Sequence, residues 1–111
     1  LDNWFEGRML EAREQRYTER SVSLLAARAR QALFEFLPIR RHPDEADRIY
    51  RRYSYGPLLD IFMLDLRSYR GPNTPNRQTE LDASSAILGP TQLAWLKQAL
   101  RNSGAVWKLI A

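Results

Sequence analysis

The chain has 111 residues, of which 44% are hydrophobic and 27% charged, the balance of one globular domain. It contains no cysteine and a single histidine, His42. Disulfides, thiolate metal sites and Cys nucleophiles are excluded, and a zinc site or a Ser-His-Asp triad lacks its parts. Lys and Arg number 17 against 13 acidic residues, a net charge of +4, but acids alternate with arginines through residues 6–20. A nucleic-acid binder concentrates its basic residues, so no nucleic-acid partner is expected.

Residues 1–37 read as helical: no proline interrupts them before Pro38, and the charged stretch 6–20 is rich in helix formers. Ser21 and Ser23 are candidate N-caps for a second helix, in which Leu25, Ala29, Ala32, Leu33 and Phe36 form an apolar stripe. Pro38 ends that stretch. A polar loop over 40–48 precedes two strands, 49–55 and 58–65, with Gly56-Pro57 between them, which together predict a β-hairpin over 49–65. The near-continuous apolar run from Leu58 to Leu64 predicts a central strand covered on both faces. Residues 71–86 form a long loop, and loops of that length are commonly functional or mobile. A helix over 91–101 follows, with Thr91 at its N-cap or first turn, an apolar stripe of Leu93, Leu96 and Leu100, and Gly104 as its C′ glycine. Residues 105–111 are a strand. Strand, helix and strand make a β-α-β unit with parallel pairing and a right-handed connection, so the fold class is α/β. No apolar run reaches the ~20 residues of a membrane-spanning helix, and no leader peptide is visible.

Asp44-Glu45-Ala46-Asp47 spells a helicase signature, but the phosphate-cradling Gly-rich loop that must accompany it is absent. His42 reads as a loop histidine without metal-ligand partners. Asp65 and Arg67 sit at the end of the apolar strand, where open α/β sheets place functional side chains; an ion pair between them is the structural alternative. Arg28, at the edge of the helical stripe, is either paired or snorkelling, or aimed at an anion such as phosphate. Trp4 reads as a packing anchor and Asn3 as a polar candidate beside it.

Three stretches together resemble one family: Phe36-Leu37-Pro38-Ile39-Arg40, Leu64-Asp65-Leu66-Arg67-Ser68-Tyr69-Arg70, and Leu88-Gly89-Pro90-Thr91-Gln92-Leu93-Ala94-Trp95-Leu96. With Val106-Trp107-Lys108-Leu109-Ile110 after them, they are similar to the PhoD-like alkaline phosphatases, which have a calcineurin-like metallophosphatase core. The similarity runs over nearly the whole chain, and Leu66 stands where members often carry Thr. The resemblance implies a piece of an α/β sandwich that hydrolyses phosphate monoesters and diesters through metal-activated water, with calcium and iron as the implied metals. It implies a phosphate-ester substrate and an exported, periplasmic or extracellular location.

Asp2-Asn3-Trp4 resembles the tail of the family's aspartate-histidine-glutamate metal motif. The chain is therefore expected to be an internal segment whose metal ligands lie elsewhere in the same polypeptide, with no metal bound by the segment alone. Arg28 and Asn3 are then the candidates for facing the phosphate, and Asp65 and Arg67 for supporting the site. The alternative is a non-enzymatic α/β binding module, distinguished by the absence of aspartate and histidine motifs in sequence on either side.

Overall fold

The computed structural model describes residues 2–75 and 77–111. Leu1 and Asn76, which fall within the expected helical stretch 1–37 and the expected loop 71–86, lie outside the described residues. The described chain holds two α-helices and a three-stranded mixed sheet in the order β1-β2-β3. Helix α1 spans Val22–Phe36 and α2 spans Pro90–Arg101. Strands β1, Arg51–Tyr55, and β2, Leu59–Met63, pair antiparallel as the hairpin, and β3, Trp107–Ile110, joins β2 in parallel. The expected β-α-β unit is therefore present, with α2 as its crossover.

Helix α1 begins where Ser21 places it: the Ser21 hydroxyl accepts from the Leu24 N–H at 3.2 Å, satisfying one of the orphan donors of the first turn. The expected helix over 4–20 is not formed. Asn3 and Gly7 take positive φ, 47° and 83°; Met9 bridges Ser21, and Leu10 N–H donates to Arg20 O at 2.9 Å. That stretch carries helix formers but no apolar stripe, and helix stability in proteins comes mostly from burying such a stripe. Local pairs prevail instead, among them Arg8–Glu14 at 3.0 Å and Glu11 N–H to Glu14 Oε2 at 3.0 Å.

Helix α2 starts one residue earlier than expected. Gly89 is its N-cap with φ 72°, Pro90 opens the first turn and Thr91 falls within it. A Cβ on Gly89 would lie 2.7 Å from Tyr69 O, so both the backbone angle and the close approach require glycine. The helix ends at Asn102, whose N–H donates to Gln98 O and Leu100 O; Gly104 does not take the left-handed conformation expected of a C′ glycine. The buried residues of α2 are Gln92 and Leu96, while Leu93 is exposed. The buried stripe is thus shifted by one residue from the one the leucines alone outline.

The core gathers on one face of the sheet. Phe62 is fully buried and Trp95 of α2 lies against it, ring centroids 6.4 Å apart, and against Tyr50 at 4.8 Å. Period-two alternation sends Tyr53, Tyr55, Met63, Trp107 and Leu109 to the opposite face, where all are exposed, Trp107 to 71%. Coverage of β2 on both faces is therefore not found among the described residues, although β2 is the central strand.

Asp60, beside Phe62 on the covered face, is 1% exposed. It accepts from Ser54 Oγ at 2.6 Å and from Ser103 Oγ, and pairs with Arg52 at 2.7 Å. This carboxylate ties the hairpin to the turn that follows α2. The two hydroxyls, with Arg52 beside them, hold its pKa below the usual aspartate range. A lowered folded-state pKa contributes stability that is present above the unfolded value of about 4 and is lost as pH falls through the folded value. Denaturant midpoints measured at pH 7 and pH 3 are expected to show a drop that Asp60→Asn reduces; an equal drop in the variant would place the acid sensitivity elsewhere.

Candidate functional site

The candidate site forms where β2 ends. Leu64 N–H donates to Ala111 O at 2.8 Å, which carries the parallel pairing one step past β2. The chain then turns at Asp65. Gln92, 0% exposed, holds this point: its Oε1 accepts from Asp65 N–H at 2.8 Å, and its Nε2 donates to Asp65 O at 2.8 Å and Leu88 O at 3.0 Å. A side-chain amide has one acceptor and two donors, and here it substitutes for a neighbouring strand.

The Asp65 side chain shapes the following turn. Its Oδ1 accepts from Arg67 N–H and Ser68 N–H, both at 2.9 Å. The ion pair with the Arg67 guanidinium, the structural alternative read from the sequence, is absent among the described residues. Strand β2 stops at Met63, so Arg67 lies on a turn and not on a continuing strand. Its guanidinium instead donates to Asn3 Oδ1 at 3.2 Å. Asn73 Nδ2 donates to Asn3 O at 2.8 Å, and Arg70 Nη2 donates to Asn73 Oδ1 at 2.6 Å. Asn3, in the left-handed conformation that asparagine tolerates, is gripped by residues 64 and 70 positions away.

The fold therefore brings together Asn3, Asp65 and Arg67, three of the four residues singled out from the sequence. Arg28 stands exposed on α1, and no hydrogen bond joins it to this group. The α1 guanidinium that does reach the turn is Arg30, whose Nη2 donates to Ser68 Oγ at 3.4 Å. Arg30 and Asp65 line a cleft of about 380 Å³ with Trp4, Leu33, Ile49 and Leu66. Asp65 is 8% exposed, and its Oδ2, like Arg30 Nε, is buried without a hydrogen-bond partner. Tyr69, on the same turn, packs edge-on to Tyr50 at 5.3 Å, and burial raises its hydroxyl above the usual phenol pKa.

Chemically, this is a set of guanidinium and amide groups suited to holding a chain segment or an oxyanion. Among the described residues no three His, Asp or Glu side chains cluster as metal ligands, and the carboxylate present, Asp65, uses Oδ1 for backbone donors. Among the described residues, too, no helix is long and apolar enough to cross a membrane. Arg30 and Asn73 were not singled out from the sequence; Gln92 and Arg70 stand in the two family-like stretches but were given no role there.

The family model described as PhoD-like phosphatase matches residues 1–111. Alkaline phosphatase D of Bacillus subtilis (strain 168) is 33% identical over 97 residues, an alignment covering 79% of this chain and 17% of that protein. No solved structure gives a significant match.

Proposed function

Because the chain belongs to the PhoD-like phosphatase family, we propose that it is one segment of a phosphate-ester hydrolase, the segment that braces one wall of the active site. The chain spans 17% of the length of the curated relative it matches, and the metal dependence of the reaction is assigned to ligands elsewhere in the polypeptide. The roles proposed for this chain are confined to its own side chains. Arg67 and Asn73 hold Asn3, Asp65 fixes the turn that presents Arg67, and Gln92 fixes Asp65. The substrates are phosphate monoesters or diesters, and the resemblance supports an exported location, periplasmic or extracellular, for the intact polypeptide.

The observation that carries this reading is the hydrogen bond from Arg67 to Asn3. It sits just past the C-terminal end of a strand in a parallel pair, where α/β sheets place their functional loops. It also joins two stretches that resemble the family, Asp2-Asn3-Trp4 and Leu64–Arg70.

The test uses the intact polypeptide that carries this segment, with p-nitrophenyl phosphate and bis(p-nitrophenyl) phosphate as substrates. Hydrolysis is expected, lost on chelation and regained with added divalent or trivalent metal, while the 111-residue chain alone gives no turnover above a blank. Turnover by the 111-residue chain would overturn the division of labour proposed here. Absence of hydrolysis by the intact polypeptide would favour the binding-module alternative.

A further inference from the structure

The long loop expected over 71–86 contributes Asn73 to the site, and the way the rest of it folds bears on where Asn73 stands. Its two ends meet: Gly71 N–H donates to Ala86 O at 2.8 Å. Loops closed in this way are compact units packed by their own atoms. Just before Ala86 the chain makes a single turn of 3-10 helix, Ala83–Ser85, capped by Asp82. Asp82 Oδ1 accepts from Ser84 N–H at 2.8 Å, from Ser84 Oγ at 2.6 Å and from Ser85 N–H at 3.3 Å, and Asp82 N–H donates to Ser85 Oγ at 3.0 Å. Side chain and main chain satisfy each other reciprocally, which holds the turn in one geometry.

The capped turn lies against Gly71. A Cβ there would sit 2.6 Å from both Ala83 O and Ser84 O, and 2.9 Å from the Ser84 carbonyl carbon, well inside van der Waals contact. All three are main-chain atoms, which cannot swing aside as the end of a side chain can. Gly71 does not take the positive φ of Gly7, Gly56 and Gly89, so glycine is required here for space and not for a backbone angle. The turn is also anchored: three residues after Ser85, Leu88 O accepts from buried Gln92 at 3.0 Å. The segment free to yield to a side chain at residue 71 is therefore 70–73.

That segment carries the grip on Asn3. Arg70 folds over the Gly71 peptide, its Nε donating to Gly71 O at 3.3 Å and its Nη2 to Asn73 Oδ1 at 2.6 Å. With its oxygen held, the Asn73 amide turns its Nδ2 to Asn3 O at 2.8 Å. One guanidinium thus ties the place of the Gly71 peptide to the orientation of Asn73. Restoring ordinary contact distances around a methyl group at residue 71 requires a displacement of about an ångström, enough to break a hydrogen bond of that length.

We propose that Gly71 is a positioning residue of the hydrolytic site: its missing side chain lets the Asp82-capped turn set the 70–73 segment where Asn73 holds Asn3. This inference rests on the phosphatase reading. A purely structural role, in which glycine only lets the loop pack, predicts losses that do not depend on Asn73.

The experiment measures kcat, KM and the urea midpoint of the intact polypeptide, with bis(p-nitrophenyl) phosphate as substrate, for the parent, Asn73→Ala, Gly71→Ala and the double variant. Asn73→Ala is expected to lower kcat/KM about tenfold, the scale of one lost hydrogen bond. Gly71→Ala should lose a similar factor, because it acts through that bond. In the Asn73→Ala background it should cost less than about twofold more. Losses that multiply in the double variant, or a Gly71→Ala protein as active as the parent, overturn the inference. If Gly71→Ala yields no folded protein, the cap decides: Asp82→Ala should lose activity, and Asp82→Asn, which keeps the capping acceptor, should recover it. Equal activity in those two variants overturns the inference as well. A parent that hydrolyses no ester overturns the phosphatase reading itself, whereas an active parent with an indifferent Gly71→Ala overturns this inference alone.

Discussion

Replacing Gln92 with alanine is expected to destabilise the protein by about 3 kcal/mol, with a range of roughly 2 to 4. The residue is 0% exposed, and its amide makes three hydrogen bonds, two of them to the main chain of Asp65. Truncation leaves Asp65 N–H, Asp65 O and Leu88 O without their partner in a place water does not reach, and each such group costs about 1–3 kcal/mol before relaxation. The cavity left behind adds to this. Gln92→Glu keeps the acceptor for Asp65 N–H, loses both donors and buries a charge, so it should also be destabilising. Gln92→Met keeps the volume and loses all three hydrogen bonds. Urea unfolding of the four proteins separates the terms: if Met is nearly neutral while Ala is costly, packing dominates and the clamp does not. The same variants should lose activity in the intact polypeptide beyond what their stability explains, because Asp65 positions the turn bearing Arg67.

The elements whose pattern is set by burial were legible in the sequence. The Leu58–Leu64 run, the Gly56-Pro57 turn and the Ser21 cap all mark features of the fold, and the parallel pairing of β3 with β2 follows from strand-helix-strand order. The stretch 4–20 was not legible, because propensity favours a helix there while its apolar residues, among them Trp4, Leu10 and Tyr17, form no continuous helical stripe to dock it; Gly7 and the Arg8–Glu14 pair then decide the local path. In the site, strand position pointed to Asp65 and Arg67 and resemblance to Asn3, but not to how they are linked. A strand continuing through residue 67 predicts a side-chain pair between Asp65 and Arg67. A turn at Asp65, closed by its own carboxylate, frees the Arg67 side chain to reach Asn3. Arg28 and Arg30 are equally basic in sequence; the rotation of α1 relative to the 65–70 turn brings Arg30 to Ser68 and leaves Arg28 exposed.

The link between Arg67 and Asn3 sets the other large expectation. In the intact polypeptide, Arg67→Ala should lower kcat/KM by about a hundredfold, the scale associated with a displacement near 1 Å in a positioned group. Asn3→Ala should cost a similar factor, since it removes the acceptor of the same hydrogen bond and places alanine at φ 47°. The double variant should then be little worse than either single one, because two residues acting through one contact are not additive. Arg67→Lys tests the geometry: lysine keeps the charge but lacks the planar fork, so only partial recovery relative to alanine is expected. The contact itself is exposed, and its loss should shift the unfolding midpoint only slightly. A large activity loss with little change in stability is the signature of positioning. Multiplying losses in the double variant would mean that Arg67 and Asn3 contribute separately, and the hydrogen bond between them would no longer explain why the 65–70 turn matters.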